Sequence, residues 1–151
     1  MEEEDTMNYF SGEFQHSIDS KGRVIVPAKL RESLGESFTV TVGYDGCLSM
    51  YPDEEWNQFV EKLKGLPQLK KDVRKFTRPL LAAATVCEID KQGRVLIPAK
   101  LREYAGFEKD IVFVGQLNKV EIWSKEKWDS NNDYDDMDSI AESMQDMGIT
   151  F

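Results

Sequence analysis

Residues 18–32 read IDSKGRVIVPAKLRE, and residues 89–103 read IDKQGRVLIPAKLRE. The two stretches are identical at 11 of 15 positions and lie 71 residues apart. The similarity continues towards the C-terminus, where VTVG at 40–43 matches VFVG at 112–115 and Trp56 matches Trp128. An internal repeat of this length predicts two equivalent structural units in one chain.

Both repeats carry the same order of local signals. An alternating apolar segment leads into a glycine-containing turn and then into a short β-branched run. Pro27 and Pro98 end that run and suit the first turn of a helix, because proline lacks the N–H that a helix start leaves unpaired. Gly35 and Gly106 are expected to end these helices. The signals predict short helices at 28–34 and 99–105 and hairpins at 38–51 and 111–123.

The segment between the repeats predicts two helices. Acidic residues after Pro52 favour a helix start there, and Gly65 and Pro67 should end the helix. A second helix is expected from about Gln68, with Pro79 kinking or restarting it. The predicted apolar stripes are Trp56, Phe59, Val60 and Leu63 in the first helix and Leu69, Val73, Phe76 and Leu80 in the second. Seven basic residues lie between positions 61 and 78.

The expected fold is α+β and mostly β, with two tandem repeats forming one pseudo-symmetric unit joined by helices. A unit of about 45 residues is too small to bury a large core alone. Pairing the two copies, or exchanging hairpins between them, would supply the missing buried face. The predicted divisions are an N-terminal extension (1–10), a first repeat (11–54), a basic helical linker (55–81), a second repeat (82–126) and an acidic C-terminal tail (127–151).

The net charge of −9 is concentrated at the two ends of the chain. Residues 2–5 carry four acidic side chains and residues 129–151 carry seven, with no lysine or arginine in either stretch. The rest of the chain has 17 acidic and 19 basic residues, a net charge of +2, so the acidity that would oppose DNA binding lies in the two ends. Such acidic ends are typically solvated and disordered. A second hypothesis is that the C-terminal tail competes with DNA for a basic surface, so that truncation after Trp128 would tighten binding.

The candidate functional residues lie in two Asp-x-x-x-Arg turns, Asp19 to Arg23 and Asp90 to Arg94. One interpretation is structural, because aspartate caps its own turn and pairs with arginine. The other is functional, because exposed cations at a tight turn can contact phosphate, and arginine can pair with guanine edges. The predicted DNA-binding residues are Asp19, Lys21, Arg23, Asp90, Lys91 and Arg94, with Lys29, Arg31, Lys100 and Arg102 as secondary candidates.

Several other classes of protein are disfavoured. Cys47 and Cys87 lie in apolar runs and are interpreted as buried small side chains. The single histidine, His16, has no second histidine or nearby cysteine for a catalytic or metal site. We expect neither an enzyme nor a cofactor, metal or small-molecule substrate. The absence of a long apolar run and of a basic signal region predicts a cytoplasmic protein.

The duplicated turns, each leading into Pro-Ala-Lys-Leu-Arg, resemble the MraZ family of bacterial regulators, over about residues 8–128. The resemblance implies SpoVT/AbrB-like repeats of the swapped-hairpin, double-psi-barrel-like class and a ring-like homo-oligomer such as an octamer. It also implies nucleoid association and binding of double-stranded DNA at repeated short sites in the promoter of a cell-division and cell-wall gene cluster. The matching motif positions are Asp19, Arg23, Asp90 and Arg94, while Lys21 and Lys91 are added for their charge.

An antitoxin-like or other protein-interaction module with the same fold is the alternative, because one fold serves many functions. Two intact repeats in one chain favour the regulator. An antitoxin would more often join one such unit to a long partner-wrapping tail, whereas the tail here is short.

Overall fold

The computed structural model describes residues 9–132 and 134–150. Residues 1–8 of the predicted N-terminal extension therefore lie outside the described part. Phe10, which the same prediction assigned to the extension, lies in the core and exchanges backbone hydrogen bonds with Leu117. The strands are β1 (Glu13–Ser17), β2 (Arg23–Ile25), β3 (Ser37–Val42), β4 (Leu48–Pro52), β5 (Thr85–Glu88), β6 (Arg94–Leu96), β7 (Asp110–Gln116) and β8 (Lys119–Ser124).

The helices are α1 (Ala28–Leu34), α2 (Asp53–Lys64), α3 (Lys71–Ala83), α4 (Ala99–Ala105), α5 (Lys125–Asn131) and α6 (Met137–Asp146). The sequence prediction for α1 and α4 is confirmed, since both follow a proline and end at a glycine. Gly106 has left-handed backbone angles, with φ at 71°, which glycine adopts without strain. The structure is thus a mixed α and β fold rich in antiparallel strands.

Strands from the two repeats are interleaved in one six-stranded antiparallel sheet of order β1-β7-β8-β4-β3-β5. The first strand of each repeat pairs with the hairpin of the other: β1 lies beside β7, and β5 lies beside β3. The two hairpins meet where β4 pairs with β8. The sequence left open whether the copies pair or exchange hairpins. In the structure the hairpins pair with each other, and the elements exchanged are the first strands.

The strand order is the same when each strand is replaced by its counterpart in the other repeat and the order is reversed. An approximate two-fold axis therefore passes between β4 and β8. The separate two-stranded ribbon of β2 and β6 follows the same symmetry, since equivalent strands pair antiparallel with Val24 opposite Val95. The pseudo-symmetric arrangement predicted from the repeat is present.

The main core lies between the inner face of the sheet, the ribbon and the helices α1 and α4. Alternation along each strand sends one set of side chains inward. The largest fully buried side chains are Phe38, Phe113, Leu30, Leu34, Leu48, Met50, Ile97, Leu101, Ile111, Ile122, Val24 and Val26. Apolar burial of this extent is available only to the combined repeats, because both contribute to a single cluster.

The helices α2 and α3 lie against the outer face of the first hairpin. Thr41 on β3 donates a 2.6 Å hydrogen bond to the Leu80 carbonyl of α3. The predicted start of α3 at Gln68 is wrong: the helix begins at Lys71, and the Gln68 amide instead donates to the carbonyls of Leu63 and Leu66 at the end of α2. Leu69, predicted on the apolar face, precedes the helix and is 95% exposed. Pro79 lies inside α3, so the helix does not restart there.

The acidic C-terminal segment is helical rather than disordered over much of its described length. Trp128 of α5 packs edge-on against Trp123, with ring centroids 5.5 Å apart. The following helix α6 exposes Met137 and Ile140. Its acidic residues recur at every fourth position, at Asp138, Glu142 and Asp146, so they form one stripe.

Candidate nucleic-acid interface

The ribbon of β2 and β6 brings the two motif arginines onto one outer face. Val24 and Val95, at the centre of the strands, point into the core. Arg23 lies opposite Leu96, and Arg94 lies opposite Ile25. Because side chains alternate along a strand, these four residues share the face that points away from the core. The ribbon therefore presents two arginines and two aliphatic side chains in an approximately two-fold arrangement.

Each arginine is held by the aspartate of its own turn. The Asp19 carboxylate accepts hydrogen bonds from the backbone N–H groups of Lys21 and Arg23, at 2.9 and 2.8 Å. Its second oxygen accepts from the Arg23 Nε at 2.8 Å. Since this contact uses only Nε, it leaves both terminal nitrogens of the guanidinium as donors. The structural interpretation of Asp19 is thus supported by its contacts, and the same contacts fix the direction of Arg23.

The second turn repeats this geometry. Asp90 accepts from the backbone N–H groups of Gln92 and Arg94, both at 2.9 Å, and from the Arg94 Nε at 2.9 Å. Hydrogen bonds from the backbone N–H of the motif arginine hold the pKa of both aspartates below the ordinary value, and the guanidinium adds to the effect. Both carboxylates are therefore ionised at neutral pH and keep their hydrogen bonds to the motif arginines. We call this arrangement of Asp19 with Arg23, and of Asp90 with Arg94, the aspartate clamp.

Each turn also binds the opposite repeat through the carbonyl of its glycine, Gly22 or Gly93. The Gly22 carbonyl accepts from the Ile97 N–H at 2.9 Å, and the Gly93 carbonyl accepts from the Val26 N–H at 3.0 Å. Both glycines have positive φ, 90° and 80°. A side chain at either position would collide with an arginine of the opposite repeat, since an added Cβ would lie 2.6 Å from Cζ of Arg102 or of Arg31.

Arg31 and Arg102 therefore help to pack the two repeats against each other. The Nε of Arg31 donates to the Val26 carbonyl at 2.8 Å, and the Nε of Arg102 donates to the Ile97 carbonyl at 2.9 Å. Each guanidinium lies over the glycine of the other repeat's turn. The sequence suggested only a secondary DNA contact for this pair and missed its role between the repeats.

The four predicted lysines are exposed. Lys21 and Lys91 lie in the two turns, and Lys29 and Lys100 lie on α1 and α4. Lys21 and Lys91 are not at equivalent positions, because Lys21 aligns with Gln92 and Lys91 aligns with Ser20. The two turns thus differ in where they place a positive charge, although their backbones match.

Ile25 and Leu96 were missed as candidate site residues. The sequence places them in short apolar runs, and in the structure they are 45% and 57% exposed. The signal was available: with residues 24 and 26 facing inward, strand alternation places residue 25 outward, and the same holds for residue 96. Two exposed aliphatic side chains beside two clamped arginines form a mixed polar and apolar surface.

The cysteines and the histidine match their predicted structural roles. Cys47 and Cys87 are free and buried, and burial raises the pKa of their thiols to about 12 and about 11. His16 packs edge-on against Phe113. Partial burial, and to a smaller extent the positive charge of Arg31, lowers the pKa of its imidazole.

Over residues 9–132 and 134–150 there is no group of three metal-binding side chains. No helix in those same ranges is long and apolar enough to cross a membrane.

The comparisons with known proteins all match the chain to the same family. The family described as "MraZ protein, putative antitoxin-like" matches residues 9–79 and again residues 80–148. A protein of Lachnoclostridium phytofermentans named transcriptional regulator MraZ is 60% identical over 142 residues, covering 94% of this chain and 99% of the relative. Proteins of the same name from Clostridium beijerinckii and Thermoanaerobacter sp. are 57% and 56% identical, covering 93% and 91% of this chain and 99% and 98% of the relatives. With two matches that span nearly all of its length, the chain belongs to the MraZ family.

Proposed function

We propose that this protein is a non-catalytic, DNA-binding regulator of transcription and that the ribbon of β2 and β6, with its two turns, contacts the DNA. The names of its relatives support regulation of transcription. The observation that carries the DNA contact is the placement of Arg23 and Arg94 on one face of the ribbon. Two arginines related by an approximate two-fold axis suit a duplex, whose two strands are related in the same way.

The geometry of the ribbon suits the major groove. A two-stranded β-ribbon fits its width of about 12 Å. The aspartate clamp directs each guanidinium by its Nε and leaves the terminal nitrogens free to pair with the O6 and N7 atoms of guanine. Ile25 and Leu96 lie beside the arginines and suit contact with thymine methyl groups. The proposed surface therefore combines guanine and thymine recognition.

The lysines supply phosphate contacts at the edges of the ribbon. Lys21, Lys91, Lys29 and Lys100 are exposed, and Arg31 and Arg102 keep guanidinium nitrogens beyond the Nε that their backbone bonds use. Phosphate contacts position a protein and make its affinity steeply dependent on salt. Affinity should thus fall strongly as salt rises, even where base recognition is intact.

The finer features implied by the family resemblance complete the proposal. The exchanged first strands and paired hairpins support swapped-hairpin, double-psi-barrel-like repeats. We further propose a ring-like homo-oligomer that binds repeated short sites in the promoter of a cell-division and cell-wall gene cluster, in the nucleoid of the cytoplasm. Several weak ribbons on one assembly would raise the effective concentration for each later contact.

Binding to the upstream promoter DNA of its own gene tests this function. Fluorescence anisotropy should detect tighter binding to that DNA than to a scrambled duplex of equal length, over a salt series. The Arg23→Ala, Arg94→Ala protein should lose about 1–3 kcal/mol of binding free energy for each base-contacting arginine. A Lys62→Ala, Lys64→Ala protein is the matched control, because it loses the same charge from exposed residues of α2.

The arginine variant must keep its fold and assembly for the comparison to count, which circular dichroism and light scattering would establish. Equal binding to both duplexes, or equal losses in the two double variants, would overturn the assignment of the ribbon.

The Ile25→Ser, Leu96→Ser protein separates base selection from phosphate binding. Because both side chains are exposed, their replacement should leave the fold intact. We expect reduced discrimination between thymine and uracil at contacted positions, since uracil lacks the methyl group, with the salt dependence unchanged. Unchanged discrimination would remove these two residues from the interface.

A protein-interaction function of the antitoxin type is the second candidate. It is favoured by exposed apolar side chains near the C-terminus, Met137 and Ile140 on α6 and Met147 directly after it. Deleting α6 distinguishes the two functions: promoter binding that survives the deletion belongs to the ribbon, whereas a protein partner lost with the helix supports the alternative.

A further inference from the structure

A cleft of about 220 Å³ lies on the outer face of the first hairpin, beneath α2 and α3 and away from the ribbon. Its walls are aromatic: Tyr44 is stacked near Phe76, and Tyr51 is stacked on Phe59 with centroids 5.3 Å apart. A cavity of about 150 Å³ can hold benzene. The cleft therefore has room for one substituted aromatic ring.

The cleft contains a buried hydroxyl without a partner. Ser49 is 1% exposed and lines the cleft, and its Oγ makes no hydrogen bond to any described residue. The Oγ lies near enough to Tyr51 to oppose part of the rise in the pKa of that phenol, but their geometry is not that of a hydrogen bond. A buried polar group that is left unpaired is costly, so Ser49 favours a polar group from outside the chain.

A cation lines the same cleft. The Lys119 side chain is 12% exposed, with its Nζ 5.0 Å from the Tyr44 ring centroid and 5.9 Å from that of Tyr51. Its nearest carboxylate oxygen, on Glu121, is 3.9 Å away, too far for a hydrogen bond, and the other oxygen of Glu121 accepts from the Trp123 indole. Within the described residues the ammonium group donates no hydrogen bond. Lys75 adds a second positive charge to the cleft lining.

We propose that this cleft is a binding site for a small aromatic carboxylate. The ring would lie among the four aromatic side chains, the carboxylate would accept from Lys119, and a polar substituent on the ring would pair with Ser49. The Tyr51 phenol is neutral at pH 7, and burial raises its pKa further, to about 12, so Tyr51 does not repel an anion. The site is separate from the ribbon and does not depend on the proposed DNA binding.

Isothermal titration calorimetry with 4-hydroxybenzoate tests the proposal on the full chain. We expect one saturable site per chain, and weaker binding of phenol, which lacks the carboxylate, and of cyclohexanecarboxylate, which lacks the aromatic ring. Lys119→Met should weaken binding at least about tenfold, as loss of a charge-assisted bond does. Ser49→Ala should weaken it about fivefold while leaving the melting temperature unchanged or higher.

Lys125→Met, on α5 and outside the cleft, is the matched control and should bind as the wild type does. Amide shifts in NMR spectra should change at Tyr44, Ser49 and Lys119 on titration. Absence of saturation, shifts spread over surface lysines, or equal affinity of the Ser49→Ala and wild-type proteins would overturn the proposal, and the cleft would then hold water only. Because Ser49→Ala removes an unpaired hydroxyl, its result stands even if Lys119→Met fails to fold.

Discussion

At the residue scale, the glycine before each motif arginine is constrained by the opposite repeat. Gly22→Ala would force an alanine into φ near 90° and place its Cβ 2.6 Å from the Arg102 Cζ. We expect the free energy of unfolding to fall by about 1–3 kcal/mol, as strained backbone of this kind costs. Urea denaturation would measure the change.

Two further variants give this experiment its controls. Gly93→Ala should cost about as much, because its contact with Arg31 is equivalent. Gly65→Ala should change stability by less than about 0.5 kcal/mol, since Gly65 has helical angles and no close side chain. Equal losses at positions 22 and 65 would contradict the argument.

The aspartate clamp predicts a pH dependence. The folded pKa of Asp19 is lowered mainly by the backbone N–H of Arg23, so the stabilisation is full above the ordinary aspartate pKa and is lost as pH falls through the folded value. In Arg23→Ala the backbone bond remains but the guanidinium is gone. NMR titration of the carboxyl carbons should then find the pKa of Asp19 raised part of the way, with that of Asp90 unchanged. A matching rise at Asp90 would contradict local clamping.

Much of this residue-scale geometry follows from the sequence, and part of it does not. Aspartate four residues before arginine across a glycine predicts a capped turn, and the structure contains two. The contact of Arg102 with Gly22 joins positions 80 residues apart. No local pattern specifies such a contact, because it depends on how the two repeats pack.

At the element scale, one buried hydrogen bond ties α3 to the sheet. Thr41→Val removes the donor to the Leu80 carbonyl with almost no change in shape. We expect stability to fall by about 1–3 kcal/mol, the cost of leaving a buried acceptor unpaired. Thr39→Val is the matched control, because Thr39 is buried on the same strand and makes no side-chain hydrogen bond to a described residue. Thermal denaturation of both variants would decide, and equal losses would refute the assignment.

Element boundaries were predictable where proline and glycine mark them and unpredictable where a side chain competes. Pro27 and Gly35 bracket α1 as expected. The apolar spacing that begins at Leu69 predicts a helix from about Gln68, but the Gln68 amide donates to the carbonyls of Leu63 and Leu66 at the end of α2. Ending a helix in this way leaves Leu69 outside the next one, where nothing buries it.

At the scale of the whole molecule, neither repeat is complete alone. Cutting the chain between Leu66 and Pro67 leaves β1, β2 and β3 without their partners β7, β6 and β5. We expect residues 1–66 alone to be unfolded or to dimerise by the same exchange, and mixing with residues 67–151 to restore the native NMR spectrum. A folded monomer of either fragment would contradict the exchanged topology.

The acidic tail gives a second prediction at this scale. Truncation after Asn132 keeps α5 and removes six acidic residues and no basic ones, and it should tighten DNA binding at low salt. A full-length protein with Asp138→Asn, Glu142→Gln and Asp146→Asn would separate the charge of α6 from its presence. Anisotropy titrations at low and high salt would measure both, and unchanged affinity in both proteins would remove tail competition.

The sequence predicted the duplication and its symmetry but could not choose between paired and exchanged elements. Both repeats contain nearly the same strands, so hydrophobic pattern and hydrogen-bonding capacity allow β3 to accept either first strand. The choice is made by chain geometry and shared burial, which involve residues distant in sequence.

The exchange of first strands also bears on how the protein is made. On the ribosome β1 emerges first, but its partner β7 is almost one hundred residues behind, and β3 waits for β5. The first half of the nascent chain thus carries unsatisfied strand edges for several seconds at ordinary rates of synthesis, about 5–20 residues per second. Neighbouring nascent chains on one messenger RNA present the same edges, and they can complete one another. Subunits that associate in this way would start their assembly during translation.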